Sequence, residues 1–418
     1  MTRIAIIGAG VSGLVAAHRL HEAHDVTLFE AGSYPGGHAN TVTVRTERGL
    51  YEVDTGFIVF NDRNYPGFEA LLAELGIASQ PSDMSFGVSD GQDFEYAAHS
   101  AGGLYANPRH LVSPRFQKMV LEYARFNREA ARLLAGDADP SVTHWLRQTG
   151  FSRTFVDRLI VPQAAAVWSA DPAQMSTFPA RSLVEFFANH GMLGFGGRPR
   201  WRTVTGGSRA YVQALTRPFA DRIRLDTPVA AVERFADRVE VTPRGGQPEA
   251  FDEVVIAAHA DQALTMLRDP SAAEREVLGA IPYQLNEAVL HTDTSLLPRR
   301  RRAWASWNYH LRDRRTGLPT VTYWMNRLQS LQADREFCVT LNRSEAIDTA
   351  KVIRTISYAH PVYTSAGRAA QGRHAEVSGI NRTHYCGAYW SWGFHEDGVQ
   401  SGLRVARAIE TLRPAVAV

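Results

Sequence analysis

The chain has 418 residues, 44% hydrophobic and 21% charged. That balance excludes a disordered or fibrous polymer and, at about 150 residues per domain, points to two or three domains. A formal charge of +2 provides no overall field to recruit nucleic acid, and no apolar run reaches the ~20 residues of a membrane-spanning helix. Cys338 and Cys386 are too far apart in sequence for a metal-ligand spacing or a redox pair, and no metal site is expected. The chain begins with a strand and a glycine loop rather than a basic region and cleavage site. A cytoplasmic protein is therefore expected, with peripheral contact to the inner face of a membrane left open. Only two of the 45 basic residues are lysine, Lys118 and Lys351, so chemistry that requires a lysine has two candidates.

Arg3 to Ile7 is a short apolar run that reads as a buried parallel strand. Gly8-Ala9-Gly10-Val11-Ser12-Gly13 follows, then LVAAHRLHEA with apolar residues at helical spacing. Gly8 permits the tight turn, Gly10 lets the backbone approach a pyrophosphate, and Gly13 lets the helix lie close on the sheet. Val11 and Ser12 open that helix, whose N-terminal N–H groups present themselves to phosphates. The next strand, Asp25 to Phe29, ends in Glu30, seventeen residues past Gly13. A carboxylate there accepts hydrogen bonds from a ribose hydroxyl and disfavours a 2′-phosphate, so FAD or NAD is predicted.

Ala31 to Asn40, AGSYPGGHAN, adds a second glycine pair, Gly36-Gly37, placed to hug the diphosphate or ribityl chain from the other side. This arrangement resembles the flavoprotein amine oxidase superfamily, which includes monoamine oxidases, protoporphyrinogen oxidases and carotenoid desaturases. The resemblance implies FAD, with His38 where the family carries a basic residue; no cysteine or histidine is placed for a bond to the flavin, so non-covalent binding is expected. Asp54-Thr55-Gly56 and Thr205 to Ala214, TGGSRAYVQA, resemble two further family turns. Phe251 to Ala258, FDEVVIAA, reads as the returning buried strand. By resemblance, Val229 offers its backbone to the adenine and Gly387 ends the last strand of the flavin motif. The same motif places N–H groups around Gly398 and Val399 toward the flavin pyrimidine carbonyl, where a helix N-terminus stabilises negative charge.

The expected fold is α/β: a Rossmann-type FAD-binding domain from 1–75, 200–275 and 375–418, with an inserted α+β substrate domain from 76–199 and 276–374. Residues 76–199 read as mainly helical, with Pro108 to Leu134 and Val142 to Leu159 the clearest helices. Residues 276–374 read as a sheet, with NEAVLHTD, WASWNYHL, TVTYWMN and FCVTLN as strands.

His395 and Glu396, with Asp397, form the titratable cluster nearest the expected flavin; they suit either substrate proton transfer or helix capping. Trp392 belongs with Trp390 and Phe394 to an aromatic wall or to interface packing. His38, His190 and His360 are further histidine candidates. Val161 to Leu193 is markedly apolar, and its VWSADPAQMS core resembles a segment of porphyrinogen oxidases and desaturases, which act on large hydrophobic substrates. Arg299, Arg300, Arg301 and Arg302 stand beside Trp304 and Trp307, either as an anchor on an anionic leaflet or as a solvated loop.

Stretches such as DTGFIVFN, QPSDMSF and GFHEDGVQSGLRVA resemble a bacterial subfamily of FAD proteins. Members of that subfamily tend to accompany cyclopropane-synthase-like methyltransferases, and some desaturate methyl-branched acyl chains toward furan fatty acids. The resemblance implies a lipid or fatty-acyl substrate and no nucleic-acid partner. Hydride would pass to the flavin and O₂ or another acceptor would reoxidise it. An amine oxidase is the alternative, although neither lysine matches the family's lysine near the flavin. A non-catalytic FAD protein that presents lipid to another enzyme is the second alternative. Neither the exact substrate nor the oligomeric state is specified by sequence.

Overall fold

The computed structural model describes every residue except 169–177, 194–196, 312–316 and 412–418. Strand β1 (Arg3–Ile7) is buried from Ile4 onward, and β2 (Asp25–Phe29) lies parallel to it with Ile6 opposite Leu28. The two are joined by helix α1 (Val11–Leu20). Their sheet has five strands in the order Ile223–Arg224, β2, β1, Glu253–Ile256, Thr383–Tyr385, each pair parallel. All five strands come from 1–75, 200–275 and 375–418, so three distant stretches of chain complete one sheet. Alternation along β1 divides its side chains between two cores. Ile4 and Ile6 pack with Leu14, Tyr211 and Val399 beneath α1 and the C-terminal helix (His395–Thr411). Ala5 and Ile7 pack with Val232, Val241 and Leu278 on the opposite face.

The C-terminal helix crosses α1 almost backbone to backbone. A Cβ on Gly398 would lie 2.5 Å from Val11 Cγ1, and one on Gly402, a turn later, 2.4 Å from the Ser12 carbonyl oxygen. A hairpin of β3 (Thr41–Thr46) and β4 (Gly49–Asp54) follows the second glycine pair. Its last residue, Asp54, is buried and accepts from Thr41 Oγ1 at 2.6 Å, Ser208 N–H at 2.9 Å and Gln329 Nε2 at 2.9 Å. Burial pushes the Asp54 carboxyl up to about 6, against the pull of these donors.

A second sheet of seven strands roofs the cavity described below. Its order is Val352–Pro361, Tyr283–His291, Cys338–Leu341, Val321–Trp324, Trp307–His310, Phe86–Ser89, Glu95–Ala97. The four strands expected in 276–374 are present, but two expectations need correction. Phe86–Ser89 and Glu95–Ala97 form a hairpin inside the stretch read as mainly helical, and they join this sheet through a parallel pairing with Trp307–His310. Val352–Pro361, absent from the expected strands, pairs with nearly the whole of Tyr283–His291.

The helical layer packs on this sheet through Phe126, Trp145, Phe155, Phe187 and Tyr323. Its longest member is α4 (Pro114–Ala135), preceded by the short helix α3 (Ala101–Leu104) and a 3₁₀ turn, Pro108–Val112. The helix expected over 142–159 is interrupted. It stops at Gln148, Gly150 takes φ +69°, and Ser152 caps a new start through the Phe155 N–H at 3.2 Å. Among the described residues no helix is long and apolar enough to cross a membrane, and no cluster of three ligating side chains could hold a metal. Both cysteines are buried and unpaired.

Candidate active site

One cavity of about 1700 Å³ runs from the glycine loop of the parallel sheet into the space between the seven-stranded sheet and the helical layer. Single-ligand pockets occupy about 300–1,000 Å³, so this volume accommodates two ligands end to end.

Backbone forms much of the cofactor half. Gly8 has φ +105°, and a Cβ on it would lie 2.7 Å from the Ala257 carbonyl oxygen, so only glycine suits the turn. Gly10 is the N-cap of α1 and provides no side-chain cap, and no acidic residue occupies the first turn. The positive helix end and its unfilled N–H groups therefore face outward. A Cβ on Gly10 would meet nothing within 4 Å, which is the open space of the cavity. The second glycine pair is held against the first loop: Gly36 N–H donates to the Ala9 carbonyl at 2.7 Å, and Gly36 and Gly37 both have positive φ.

Glu30, at the end of β2, accepts from Ala9 N–H and Gly32 N–H, each at 2.7 Å. His38 stacks on Tyr358 at 4.8 Å and lies 5.2 Å from His360; its Nε2 is buried without a partner. Burial pushes the His38 imidazole well below its ordinary range, and its neighbour His360 to about 4, so both are neutral. An uncapped helix start, a glycine-lined groove, a terminal carboxylate and an orphaned imidazole nitrogen together fit the diphosphate, ribose and ring system of FAD.

Of the residues expected to bind the cofactor, Gly8, Gly10, Val11, Ser12, Glu30, Gly36, Gly37, His38, Val229 and Gly387 line the cavity. Gly13 does not. A Cβ there would lie 2.0 Å from the Gly8 carbonyl oxygen, so its place is the close seat of helix on turn. Gly398 and Val399 also lie outside the lining, and their expected role is corrected. The Gly398 N–H is spent inside the helix on the Phe394 carbonyl at 3.2 Å, and the Val399 side chain is core. The N–H groups left over at that helix start belong to His395, Glu396 and Asp397, three residues earlier.

The expected catalytic cluster is split: Trp392 and His395 line the cavity and Glu396 does not. Trp392 lines the cavity, with the Arg368 guanidinium 4.3 Å above its ring. The His395 ring is stacked on Phe57 at 3.7 Å and shares a 2.7 Å hydrogen bond with the Tyr211 hydroxyl through Nε2. Burial lowers its pKa to about 3, so it is neutral, and its ring is committed to packing. Glu396 caps helix α2 (Pro66–Glu74), accepting Gly67 N–H at 2.9 Å and Phe68 N–H at 2.8 Å, with Gln400 Nε2 at 2.7 Å. Glu396 is outside the cavity lining and its donors tie it to α2, so Glu396 as a base is corrected to Glu396 as a helix cap. Asp397 accepts the Phe394 N–H at 2.8 Å, and burial raises its carboxyl to about 6.

The substrate half is lined by Met84, Phe86, Tyr96, Leu104, Met119, Val120, Tyr123, Leu159, Val167, Phe186, Met192, Trp201, Trp307, Tyr323 and Leu341. Phe186 and Met192, in the stretch read as apolar from 161 to 193, are in this wall, whereas Phe178 and Phe187 belong to the core. Residues 169–177, which hold most of the VWSADPAQMS motif, lie outside the described residues. His190 stacks on Phe186 at 3.8 Å, and its Nδ1 bonds the Phe186 carbonyl at 2.9 Å; burial lowers it to about 4. Glu30 and Asp261 are the acidic residues among the described lining, and both lie in the cofactor half. Lys118 and Lys351 are exposed and outside the lining, Lys351 being paired with Asp293 at 3.2 Å.

Sequence reading missed Tyr283, Tyr358, Tyr363 and His259, all of which line the cavity. Apart from His259 they are carried by, or lie just beyond, the paired strands Tyr283–His291 and Val352–Pro361. The alternation in ISYAHP was the available signal for the second of these strands.

A model of a family described as flavin containing amine oxidoreductase matches residues 11–327. Protoporphyrinogen oxidase 2 of Arabidopsis thaliana is 30% identical over 182 residues, 42% of this chain and 34% of that protein. The match thus spans about a third of the length of the curated relatives. Putrescine oxidase bound to putrescine superposes with a TM-score of 0.68 at 14% identity, over 98% of this chain and 99% of that one. A fatty acid isomerase from P. acnes that produces CLA superposes at 0.66 with 16% identity, covering 97% and 98%. At such identities the structural likeness establishes the fold.

Proposed function

Because this chain belongs to the flavin containing amine oxidoreductases and is an FAD-dependent oxidoreductase, we propose that it uses that chemistry to desaturate a methyl-branched fatty acyl chain of a lipid. The observation that carries the reading is the substrate half of the cavity, apolar and without a carboxylate among its described lining. An ammonium group taken out of water there would lack a charged acceptor, and burying an unpaired charge is prohibitive. An acyl chain needs none. Each buried methylene contributes about 0.8 kcal/mol before entropic costs, so a chain of about ten could bind through this wall alone.

In the reaction two C–H bonds break and one C=C bond forms. FAD, when bound, supplies the two-electron acceptor. The protein's own part is to exclude water, to hold the chain straight against Phe186, Met119 and Val120, and to accept a proton. His190 is a neutral imidazole in this half, deeper than His99 at the mouth; its Nδ1 is engaged by the Phe186 carbonyl, which leaves Nε2 as the acceptor. The test is anaerobic. A methyl-branched acyl phospholipid should bleach the oxidised flavin band, putrescine and benzylamine should not, and His190→Phe should slow bleaching while FAD remains bound. Bleaching by amines and none by lipid would overturn the reading.

A further inference from the structure

We propose that the surface formed by the 3₁₀ turn Pro108–Val112 and the first two turns of α4 docks on an anionic lipid bilayer and sets the substrate mouth of the cavity against it. The inference deepens the acyl-chain reading and rests on it for its purpose, though its binding test does not.

Apolar exposure is concentrated here. Leu111 is 58% exposed, Val112 82% and Leu121 73%. These residues share one surface. Gln117 Nε2 donates to the His110 carbonyl at 2.9 Å and the Leu111 carbonyl at 3.1 Å, which pins the turn to the helix. Leu121 then follows Gln117 on the same ridge, one turn along. Exposed Arg115 and Lys118 flank the strip and form no ion pair among the described residues. Apolar side chains ringed by uncompensated basic ones match an interface of acyl tails beneath anionic headgroups.

The strip adjoins an opening. Ala98, His99, Ser100 and Ala101 line the cavity yet are themselves exposed, so the substrate half opens between Glu95–Ala97 and α3. Val120 and Tyr123 of α4 line the same half, and Tyr105, just after α3, donates to Gln117 Oε1 at 3.2 Å. A docked chain could pass from the bilayer into the apolar wall without crossing water.

The arginine run lies beside the same opening, since a Cβ on Gly103 would touch the Arg302 carbonyl at 3.2 Å. Its contribution is narrower than four charges. Arg300 is paired with buried Glu95 at 2.5 Å and Arg301 with Glu336 at 2.9 Å, which leaves Arg299 and Arg302 for headgroups.

FAD-loaded protein should sediment with phosphatidylcholine vesicles that contain phosphatidylglycerol, less at high salt, and poorly with phosphatidylcholine alone. Arg115→Gln with Lys118→Gln should weaken this binding by about thirtyfold at low salt. Val112→Asp with Leu121→Asp should abolish it, with flavin content and melting temperature unchanged. Equal sedimentation of wild type and either double variant would overturn the proposal. So would a wild-type dimer that Val112→Asp with Leu121→Asp converts to monomer, because a second copy would then cover the strip. If vesicle binding depends on the strip but no lipid reduces the flavin, docking stands and the acyl-substrate reading falls.

Discussion

The two halves of the cavity are built by different means. Around the cofactor half, glycines bring backbone within contact distance of backbone, and the chemistry comes from N–H groups, the carboxylates of Glu30 and Asp261, and neutral imidazoles. Around the substrate half, large side chains from positions as distant as Met84 and Leu341 supply mostly apolar area, with no carboxylate among the described lining. The first half tolerates almost no change in shape. The second can change its ligand by exchanging side chains on an intact frame, and the fold is shared by a putrescine oxidase and a fatty acid isomerase.

The largest effect should follow from breaking a backbone contact in the cofactor half. In Gly13→Ala the new methyl would lie 2.0 Å from the Gly8 carbonyl oxygen, and neither the turn nor α1 can yield. A loss of at least about 3 kcal/mol is expected, with the protein purifying colourless or insoluble. Normal melting and full flavin content would show that the two halves are equally plastic. Glu30→Ala should have a smaller effect. It strands the Ala9 and Gly32 N–H groups and removes a charged acceptor for the ribose, each such bond being worth about 1.5–3 kcal/mol. FAD occupancy on purification checks it.

The same contrast explains what could be read from sequence. GAGVSG, Glu30 and the second glycine pair are local, and backbone sterics tie each to one conformation, so Gly8, Gly10, Val11, Ser12, Glu30, Gly36 and Gly37 do line the cavity. At the C-terminal motif the register slipped. Gly398 is a glycine because α1 crosses there, not because a ligand does, and sequence alone does not distinguish the two demands. The substrate wall is assembled from segments far apart in the chain, so apart from the apolar stretch 161–193, which supplies Phe186 and Met192, it had no local signature. The hairpin at 86–97 did have one, Asp90-Gly91 between FGVS and FEYA, but it was masked by the helical periodicity that follows. His395 and Glu396 look catalytic in one dimension. In three, the start of α2 has claimed Glu396, while His395 lines the cavity with its ring stacked on Phe57.

Glu396→Ala tests that last distinction with a moderate effect. Removing a helix cap costs about 0.5–2 kcal/mol, which should appear as lower thermal stability at unchanged flavin reduction by substrate. Glu396→Gln should recover only part of it, because an amide can accept one of the two N–H groups but not both at once. A reduction rate that collapses in both variants, with stability intact, would return Glu396 to the reacting atoms.

The smallest effect lies in the pH dependence of two groups at the same helix start. His395 is held near 3, far below its unfolded value of about 6.5, so it contributes stability that is present above pH 6.5 and lost as pH falls toward 3. Asp397 is the reverse. Its folded pKa of about 6 exceeds the unfolded value of about 3.9, so its contribution is present at low pH and lost as pH rises through 6. Between pH 6.5 and 5 the stability cost of His395→Gln should therefore shrink, by at most about 1.4 kcal/mol per pH unit. Asp397→Asn should become more favourable relative to wild type as pH rises from 4 to 7. Because His395 stays neutral throughout, the pH profile of flavin reduction should be the same in wild type and His395→Gln. A profile that loses a limb in the variant would mean that the ring leaves Phe57 to reach a ligand, and that the cofactor half is less rigid than its glycines imply.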